Sequence, residues 1–211
     1  MIEHQVVIAG AGPTGMMLAG ELALAGIDVG IVERRQGEQI EGTRARGLHS
    51  RSIEVLDQRG IAERFLSAGY TAQVAGFAGA RLDISDFPTR HNYGLALVQA
   101  ETERILADWI AELKVSVHRG CDVVGFTQDA RGIDLQLANG ETARAQYLVG
   151  CDGGRSVVRK AAGIAFEGWD ASVSNLLAEV AFAQMPERWG FHHDAHGMHA
   201  LSLLEDQKTV G

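Results

Sequence analysis

Residues 6–35 read VVIAGAGPTGMMLAGELALAGIDVGIVERR, two apolar segments separated by a glycine turn and a helical pattern. Residues 5–9 form a short apolar run, typical of a central strand that is buried on both faces. Residues 13–25 have the pattern of a helix, which Gly26 ends. Residues 28–33 then return as a second, parallel strand. The stretch therefore predicts a strand–turn–helix–strand unit and an α/β fold.

The glycine turn is the part of this unit that is suited to a nucleotide. Gly10, Gly12 and Gly15 have the spacing at which the first glycine allows a tight turn, the second a close approach of pyrophosphate and the third helix packing. The following helix offers its N–H groups and positive dipole end to phosphates. Glu33 ends the next strand, where a carboxylate can accept both ribose hydroxyl protons, and it disfavours the 2′-phosphate of NADP at this site. An α/β turn with a surface glutamate is the alternative, and NAD and FAD share the unit.

The rest of the chain alternates helices and strands, with one interruption. We predict helices at residues 50–60 and 102–113, a strand at 114–120 and a hairpin at 132–150 that turns at Asn139-Gly140. Residues 71–98 are rich in glycine and alternate weakly, which indicates an inserted antiparallel sheet. Extended structure resumes at about residue 172.

Composition excludes several classes of function. The 211 residues carry a formal net charge of −8, which argues against a nucleic-acid groove. The longest apolar stretches are too short to cross a membrane. Met1 precedes the first strand too closely for a signal peptide, so we expect a cytoplasmic protein. Cys121 and Cys151 have no metal-ligand spacing and are expected to be structural thiols.

Four stretches together resemble one enzyme family. They are the glycine turn with Glu33, RARGLHSRSIEVLDQRG (44–60), VQAETERIL (98–106) and YLVGCDGGRSVVRKAAG (147–163). In these the chain is similar to the group A FAD-dependent monooxygenases, which have the p-hydroxybenzoate hydroxylase fold. Within that family it most resembles the actinobacterial antibiotic and polyketide hydroxylases, such as rifampicin monooxygenase and the angucycline and tetracycline hydroxylases.

The resemblance implies a domain organisation. Residues 1–70 and 99–171 would form a Rossmann-like FAD-binding domain, a parallel sheet with an inserted antiparallel hairpin. Residues 71–98 and 172–211 would form part of an antiparallel substrate-binding sheet. Flavin hydroxylases of this kind run far beyond 211 residues and carry a second Gly-Asp motif, which residues 160–211 lack. We therefore expect the chain to correspond to the N-terminal portion of such an enzyme.

The resemblance also implies a set of cofactor-binding residues. Gly10, Ala11, Gly12, Thr14 and Gly15 would surround the FAD pyrophosphate, Glu33 would bind the ribose, and Val123 would meet the adenine through its backbone. Arg46 would reach the FAD phosphates and border the path by which NADPH approaches, and Arg44 is a neighbouring candidate for the same role. The other residues of the set are Arg34, Gln99, Arg104 and Asp152. Arg155 and Arg159 would hold the Asp152 motif together. The alternatives are a solvated basic face for Arg44, Arg46 and Arg51, a helix cap for Gln99 and an Asp-Gly turn for Asp152.

The chemistry that the resemblance implies belongs to the cofactor. NADPH reduces FAD, O₂ is trapped as a flavin C4a-hydroperoxide, and an aromatic polyketide or antibiotic is hydroxylated. No catalytic side chain is predicted. A truncated, non-catalytic FAD-binding or interaction fragment is the alternative; a flavin reductase or halogenase and an ordinary NAD dehydrogenase fit the residues less well.

A histidine-rich stretch, FHHDAHGMH (191–199), stands apart from these motifs. It contains His192, His193, His196 and His199 beside Asp194. On a strand, residues three apart point to opposite faces, so we interpret the stretch as substrate-side sheet rather than as a metal site.

Overall fold

The computed structural model describes residues 2–37, 45–77, 80–174, 176, 178, 180–184, 186–187, 189–195, 197–202 and 209–210. The chain divides into two compact units, Met1–Ala165 and Phe166–Gly211. In the described residues no helix is both long enough and apolar enough to cross a membrane.

The first unit contains all the helices of the described residues and most of the strands. The helices are α1 (Pro13–Leu24), α2 (Ser50–Gln58), α3 (Ala62–Leu66), α4 (Gln99–Glu112) and α5 (Val157–Ala161). The strands are β1 (Ile2–Ala9), β2 (Val29–Glu33), β3 (Gly47–Leu48), β4 (Tyr70–Ala72), β5 (Val74–Phe77), β6 (Ala80–Asp83), β7 (Gly94–Ala96), β8 (Ser116–Arg119), β9 (Val123–Asp129), β10 (Gly132–Leu137) and β11 (Thr142–Gly150).

A six-stranded sheet in the order β8-β2-β1-β11-β10-β9 organises this unit. β8, β2, β1 and β11 run parallel, and β10 and β9 add an antiparallel extension at one edge. β1 lies between β2 and β11, with Val6 paired to Val29 on one side and to Tyr147 on the other. The carboxyl ends of β1, β2 and β11 therefore meet at one edge, the usual ligand-binding edge of an open α/β sheet.

Two clusters of buried side chains cover the two faces of the sheet. On one face α1 and α4 pack over β1 and β2 through residues such as Met16, Ile105 and Trp109. On the other face, side chains of β9, β10 and β11 such as Leu135 and Ala143 form a second cluster with Val7 and Val32 of β1 and β2. The parallel core is thus closed on both sides, as a buried parallel sheet requires.

Most predicted elements are confirmed. The strand–helix–strand unit has nearly the predicted bounds, and the hairpin of β10 and β11 turns at Asn139-Gly140, where Gly140 has a φ of +81°. Residues 71–98 do form antiparallel pairs, β5 with β6 and β7 with β3 and β4. α4 begins at Gln99, three residues before the predicted start, and α3 was not predicted.

The second unit consists of short antiparallel pairs in its described residues. β12 (Val180–Ala181) pairs with β15 (Thr209–Val210), and β13 (Gly190–Asp194) pairs with β14 (Gly197–Leu201). This agrees with extended structure after residue 172. The assignment of residues 71–98 and 172–211 to a substrate-binding sheet stays a prediction.

Candidate functional site

The three glycines of the turn between β1 and α1 meet different constraints. Gly10 has a φ of +106°, and a Cβ there would lie 2.5 Å from the carbonyl oxygen of Cys151. A Cβ on Gly15 would collide with the carbonyl oxygen of Gly10. Around Gly12, by contrast, a Cβ would meet no heavy atom within 4 Å. The first and third glycines are therefore required by packing, and the second faces open space.

Helix α1 starts at this open space. Gly12 is its N-cap residue, Pro13 occupies its first turn, and no side chain caps it. The first N–H groups of a helix have no partner within the helix, and they carry the positive end of its dipole. The start of α1 therefore has the properties of an anion-binding site.

Glu33 ends β2 beside the glycine turn and is only 6% exposed. Its Oε2 accepts a hydrogen bond of 2.7 Å from the Ala11 N–H, and its Oε1 accepts one of 2.9 Å from the Arg35 N–H. Burial alone would raise the pKa of Glu33, but these N–H groups and the Arg35 guanidinium outweigh burial and hold the pKa below its ordinary value. The carboxylate is thus ionised and fixed, and Oε2 keeps one acceptor position for a further donor.

Arg35 links Glu33 to helix α4. Its Nε donates to Glu33 Oε1 at 3.3 Å, and its Nη2 donates to Glu103 Oε2 at 2.9 Å. Glu103, also 6% exposed, accepts a further bond of 2.8 Å at Oε1 from Gln99 Nε2. Gln99 Oε1 in turn accepts a bond of 3.3 Å from the Ala45 N–H. Gln99 therefore lies within the first turn of α4 and joins it to the segment before β3.

Sequence reasoning missed Arg35 and Glu103. The signal available was weak: Glu103 lies four residues after Gln99, on the same side of a helix. Nothing in the sequence pairs this glutamate with an arginine 68 positions away.

Asp152 follows β11 and stands against the glycine turn. The Cys151 N–H donates to the Ala9 carbonyl at 2.8 Å, which ties the end of β11 to the end of β1. Asp152 Oδ2 accepts bonds from the N–H groups of Val157 (2.6 Å) and Val158 (3.1 Å) and so caps α5. Burial would raise the pKa of Asp152, but the Ser156 hydroxyl and these N–H groups lower it. Its Oδ1 is buried with no hydrogen-bond partner among the described residues.

The start of β9 lies beside Glu33. The Cys121 N–H donates to the Glu33 carbonyl at 2.9 Å, and Val123 is buried two residues later. Burial raises the pKa of both the Cys121 and the Cys151 thiol, which suits structural thiols.

The predicted arginines are spread over the unit. Arg34 and Arg46 are exposed, and the carbonyl of Arg46 accepts a bond of 3.1 Å from the Leu97 N–H. Arg104 lies on the solvent side of α4 and pairs with Glu101 and Asp108, both at 3.0 Å. Its contact with a cofactor stays a prediction, and Arg44 lies outside the described residues.

The two arginines after Asp152 differ in exposure. Arg155 is exposed, whereas Arg159 is partly buried. The Arg159 N–H donates to Ser156 Oγ at 2.9 Å, and its Nη1 donates to the Ile164 carbonyl at 3.4 Å. Arg159 therefore contacts residues on both sides of its own position, and the role of Arg155 and Arg159 in holding the Asp152 motif together stays a prediction.

The histidine-rich stretch forms the β13–β14 pair in the second unit. His192 pairs with His199 and His193 with Met198, while His196 lies outside the described residues. His199 Nε2 lies 3.1 Å from Asp194 Oδ1. Among the residues with described side chains, no three of His, Cys, Asp and Glu converge as metal ligands. The role of the stretch stays a prediction.

Together these contacts bring several sequence motifs to one edge of the sheet. Gly10, Gly12 and Gly15 lie against Cys151 and Asp152 on one side, and Glu33 reaches the turn through Ala11 on the other. An open helix N-terminus beside a fixed carboxylate fits a dinucleotide, with the pyrophosphate over Gly12 and a ribose at Glu33.

Comparisons with known proteins agree with this geometry. The profile of the family described as "FAD binding domain" matches residues 3–209. Rifampicin monooxygenase of Streptomyces venezuelae is 47% identical over 184 residues, which are 86% of this chain and 38% of that protein. The 12-dehydrotetracycline 5-monooxygenase/anhydrotetracycline 6-monooxygenase of Streptomyces rimosus is 41% identical over 188 residues, or 87% of this chain and 37% of that protein.

Solved structures show the same likeness. CabE, an aromatic hydroxylase from angucycline biosynthesis, has a TM-score of 0.87 and 34% identity, covering 98% of this chain and 42% of its own. The Diels-Alderase PyrE3 of pyrroindomycin biosynthesis has a TM-score of 0.90 and 32% identity, covering 97% and 45%.

The chain spans less than two fifths of the length of the two curated relatives. Over that span the chain matches the family profile and the fold of the solved structures. The chain therefore belongs to the FAD binding domain family of the FAD-dependent aromatic monooxygenases.

Proposed function

We propose that this chain binds FAD as part of an NAD(P)H-dependent monooxygenase that hydroxylates an aromatic polyketide or antibiotic. The observation that carries the proposal is the uncapped start of α1, which opens onto free space at Gly12 beside the buried carboxylate of Glu33. The names of the similar rifampicin and tetracycline monooxygenases support the substrate class.

In this proposal each part of the site has one task. Gly10, Ala11, Gly12, Thr14 and Gly15 hold the pyrophosphate, and Glu33 accepts the ribose hydroxyl protons. Val123 borders the adenine, while Gln99 and Asp152 orient the remainder of the cofactor. Arg34, Arg46 and Arg104 supply positive charge, and Arg46 directly follows Ala45, whose backbone contacts Gln99.

The chemistry follows from what bound FAD supplies: reduced by NAD(P)H, it activates O₂ so that one oxygen atom enters an electron-rich ring. The chain's own residues then bind and orient, and no side chain has to act as acid or base. The exposed Arg34 and Arg46 favour NADPH over NADH, since a 2′-phosphate would add two negative charges near them. The negative charge of Glu33, whose remaining acceptor position is kept for the FAD ribose, excludes that phosphate from the FAD position.

An alternative is a non-catalytic FAD-binding or interaction fragment. In that case the chain would keep the nucleotide site at Gly12 and Glu33 without a substrate site.

The first experiment is a retention assay. The purified chain is mixed with FAD or with FMN, desalted and examined by visible absorption. We expect FAD bands to remain with the protein and FMN to be lost, because FMN lacks the adenosine that Glu33 would bind. Folded but colourless protein with both flavins would contradict the proposal.

The second experiment separates the enzyme from the fragment. NADPH oxidation by the FAD-loaded chain is followed with and without rifamycin- and tetracycline-type aromatic compounds, and products are analysed by mass spectrometry. An added oxygen atom in the product supports the monooxygenase. FAD retention without NADPH oxidation or product supports the non-catalytic fragment.

A further inference from the structure

We infer that Arg35 and Glu103 are positioning residues of the nucleotide site, which fix the Ala11 peptide, the Glu33 carboxylate and the Gln99 side chain in place for the ligand. This inference rests on the proposed binding of FAD. It adds two residues that act through others.

Both backbone polar groups of Ala11 are held by side chains. Its N–H donates to Glu33 Oε2 at 2.7 Å, and its carbonyl accepts a bond of 3.3 Å from Arg35 Nη2. Ala11 is the middle residue of the turn between Gly10 and Gly12. Arg35 therefore sets the orientation of the turn that faces the proposed pyrophosphate position.

Glu103 is a second buried carboxylate close to Glu33, and stability alone is a poor reason for it. Arg35 is the guanidinium that bridges the two, with Nε on Glu33 and Nη2 on Glu103. Buried ion pairs often contribute nothing to stability relative to apolar residues of similar volume, because desolvation offsets the attraction. A cluster of two carboxylates and one arginine is therefore better explained by the geometry that it imposes.

The cluster continues from Glu103 to the segment that precedes Arg46. Glu103 Oε1 accepts from Gln99 Nε2 at 2.8 Å. Gln99 Oε1 accepts from the Ala45 N–H at 3.3 Å, and the Gln99 N–H donates to the Ala45 carbonyl at 2.9 Å. A continuous set of hydrogen bonds thus connects the end of β2 with the backbone beside Arg46.

The geometry depends on the branched shape of both side chains. Arg35 serves Glu33, Glu103 and Ala11 with separate N–H groups, whereas a lysine ammonium is a point charge on a flexible stem. Glu103 accepts bonds on both oxygens, whereas a glutamine there would turn one acceptor into a donor and lose one of the two contacts.

The test compares Arg35→Lys and Glu103→Gln with the parent chain in calorimetric titrations with ADP and with FAD. Arg35→Lys leaves the net charge unchanged, and Glu103→Gln removes one negative charge. If only charge mattered, the first change would be neutral for an anionic ligand and the second would strengthen binding. If the two residues position the site, each substitution should raise the Kd for both ligands about tenfold, which corresponds to a loss of about 1.4 kcal/mol of binding free energy.

A matched pair of controls joins α3 to the end of α4. Arg64 donates to both oxygens of Glu112 in an exposed ion pair. Arg64→Lys and Glu112→Gln repeat the two chemical changes away from the site, and we expect parental affinities for ADP and FAD.

Each outcome bears on a defined claim. Parental or tighter ADP affinity in Glu103→Gln, in a variant that melts cooperatively, overturns the positioning role; if Arg35→Lys fails to fold, Glu103→Gln decides alone. Loss of folding in both variants makes the two residues structural and overturns the inference as well. If the parent chain itself binds neither ADP nor FAD, the proposed nucleotide site is wrong.

Discussion

At the scale of single residues, Gly12 is a position where the fold does not need a glycine but the proposed cofactor does. Its φ is −79°, a value open to any residue, and a Cβ there meets no atom within 4 Å. Gly12→Ala should therefore leave stability nearly unchanged but put a methyl group where the pyrophosphate would approach. We expect the Kd for FAD to rise by at least about tenfold, measured by calorimetric titration, with an unchanged urea midpoint.

Gly168 provides the matched control for this substitution. A Cβ there also meets no heavy atom within 4 Å, and its φ is not in the left-handed region. Gly168→Ala should keep the parental FAD affinity. Equal affinities in the two variants would mean that the backbone at Gly12 is not in contact with the cofactor.

His118 makes the stability depend on pH above the range of the carboxylates. Burial lowers its pKa from the ordinary 6.5, and the neighbouring His4, whose ring centre is 5.8 Å away, lowers it further. As the pH falls from about 6.5 to the lowered pKa of the folded state, the unfolded chain binds more protons than the folded chain, so stability declines over that interval and levels off below it. We expect the urea midpoint to decline between pH 8 and 5.5, and to decline less in His118→Asn.

The carboxylates act in a separate, more acidic range. The pKa values of Glu33 and Asp152 are lowered, so their contribution to stability is complete above their ordinary pKa values and is lost as the pH falls through the pKa values of the folded state.

The control for the His118 substitution is the exposed His49. His49→Gln should leave the decline of the urea midpoint between pH 8 and 5.5 as in the parent. A parental decline in His118→Asn would show that another group titrates.

Some residues of the site could be predicted from the sequence because their role depends on local spacing. The glycine turn and Glu33 are such residues, since a turn and a strand end fix them. Arg35 and Glu103 could not be predicted, because their pairing is a tertiary contact between α4 and the residues after β2. Arg34, one position before Arg35, is exposed to solvent in the structure.

At the scale of elements, the contact between α1 and α4 depends on one missing side chain. A Cβ on Gly20 would collide with the ring of Trp109, which is 4% exposed. Gly20→Ala gains up to about 1 kcal/mol of helix propensity, but overpacking a core costs about 1–3 kcal/mol. We expect a net loss of stability, seen as a lower urea midpoint.

The shape of Trp109 provides the test of that cause. In a Trp109→Phe background the smaller ring leaves room for the added methyl group, so Gly20→Ala should cost less there than in the parent. Equal costs in the two backgrounds would mean that the loss arises inside α1.

A strong hydrophobic period makes an element easy to predict. β10 shows it well, since Ile133, Leu135 and Leu137 are buried and alternate with exposed residues. α3 has only five residues, too few for a helical period, and β9 has one buried residue at its start followed by mostly exposed ones. The pattern is faint where an element covers little of the core.

At the scale of the whole molecule, the hydrophobic core belongs to the first unit. Among the described residues every buried apolar side chain except Val210 lies before residue 165. In the second unit large apolar side chains are instead exposed, among them Phe166, Trp169, Val173 and Leu176. The parallel sheet, both core clusters and the candidate nucleotide site therefore share one folding unit.

A chain that ends after Ala165 should consequently fold alone and bind ADP as the parent does. Its single tryptophan would be the buried Trp109, since Trp169, fully exposed, and Trp189, 42% exposed, are removed. We expect cooperative urea unfolding, an emission maximum shifted to the blue relative to the parent, and a parental Kd for ADP. A shortened chain with red-shifted emission or gradual unfolding would mean that the parallel sheet needs residues 166–211 to close its core, whereas normal folding without ADP binding would mean that those residues complete the nucleotide site.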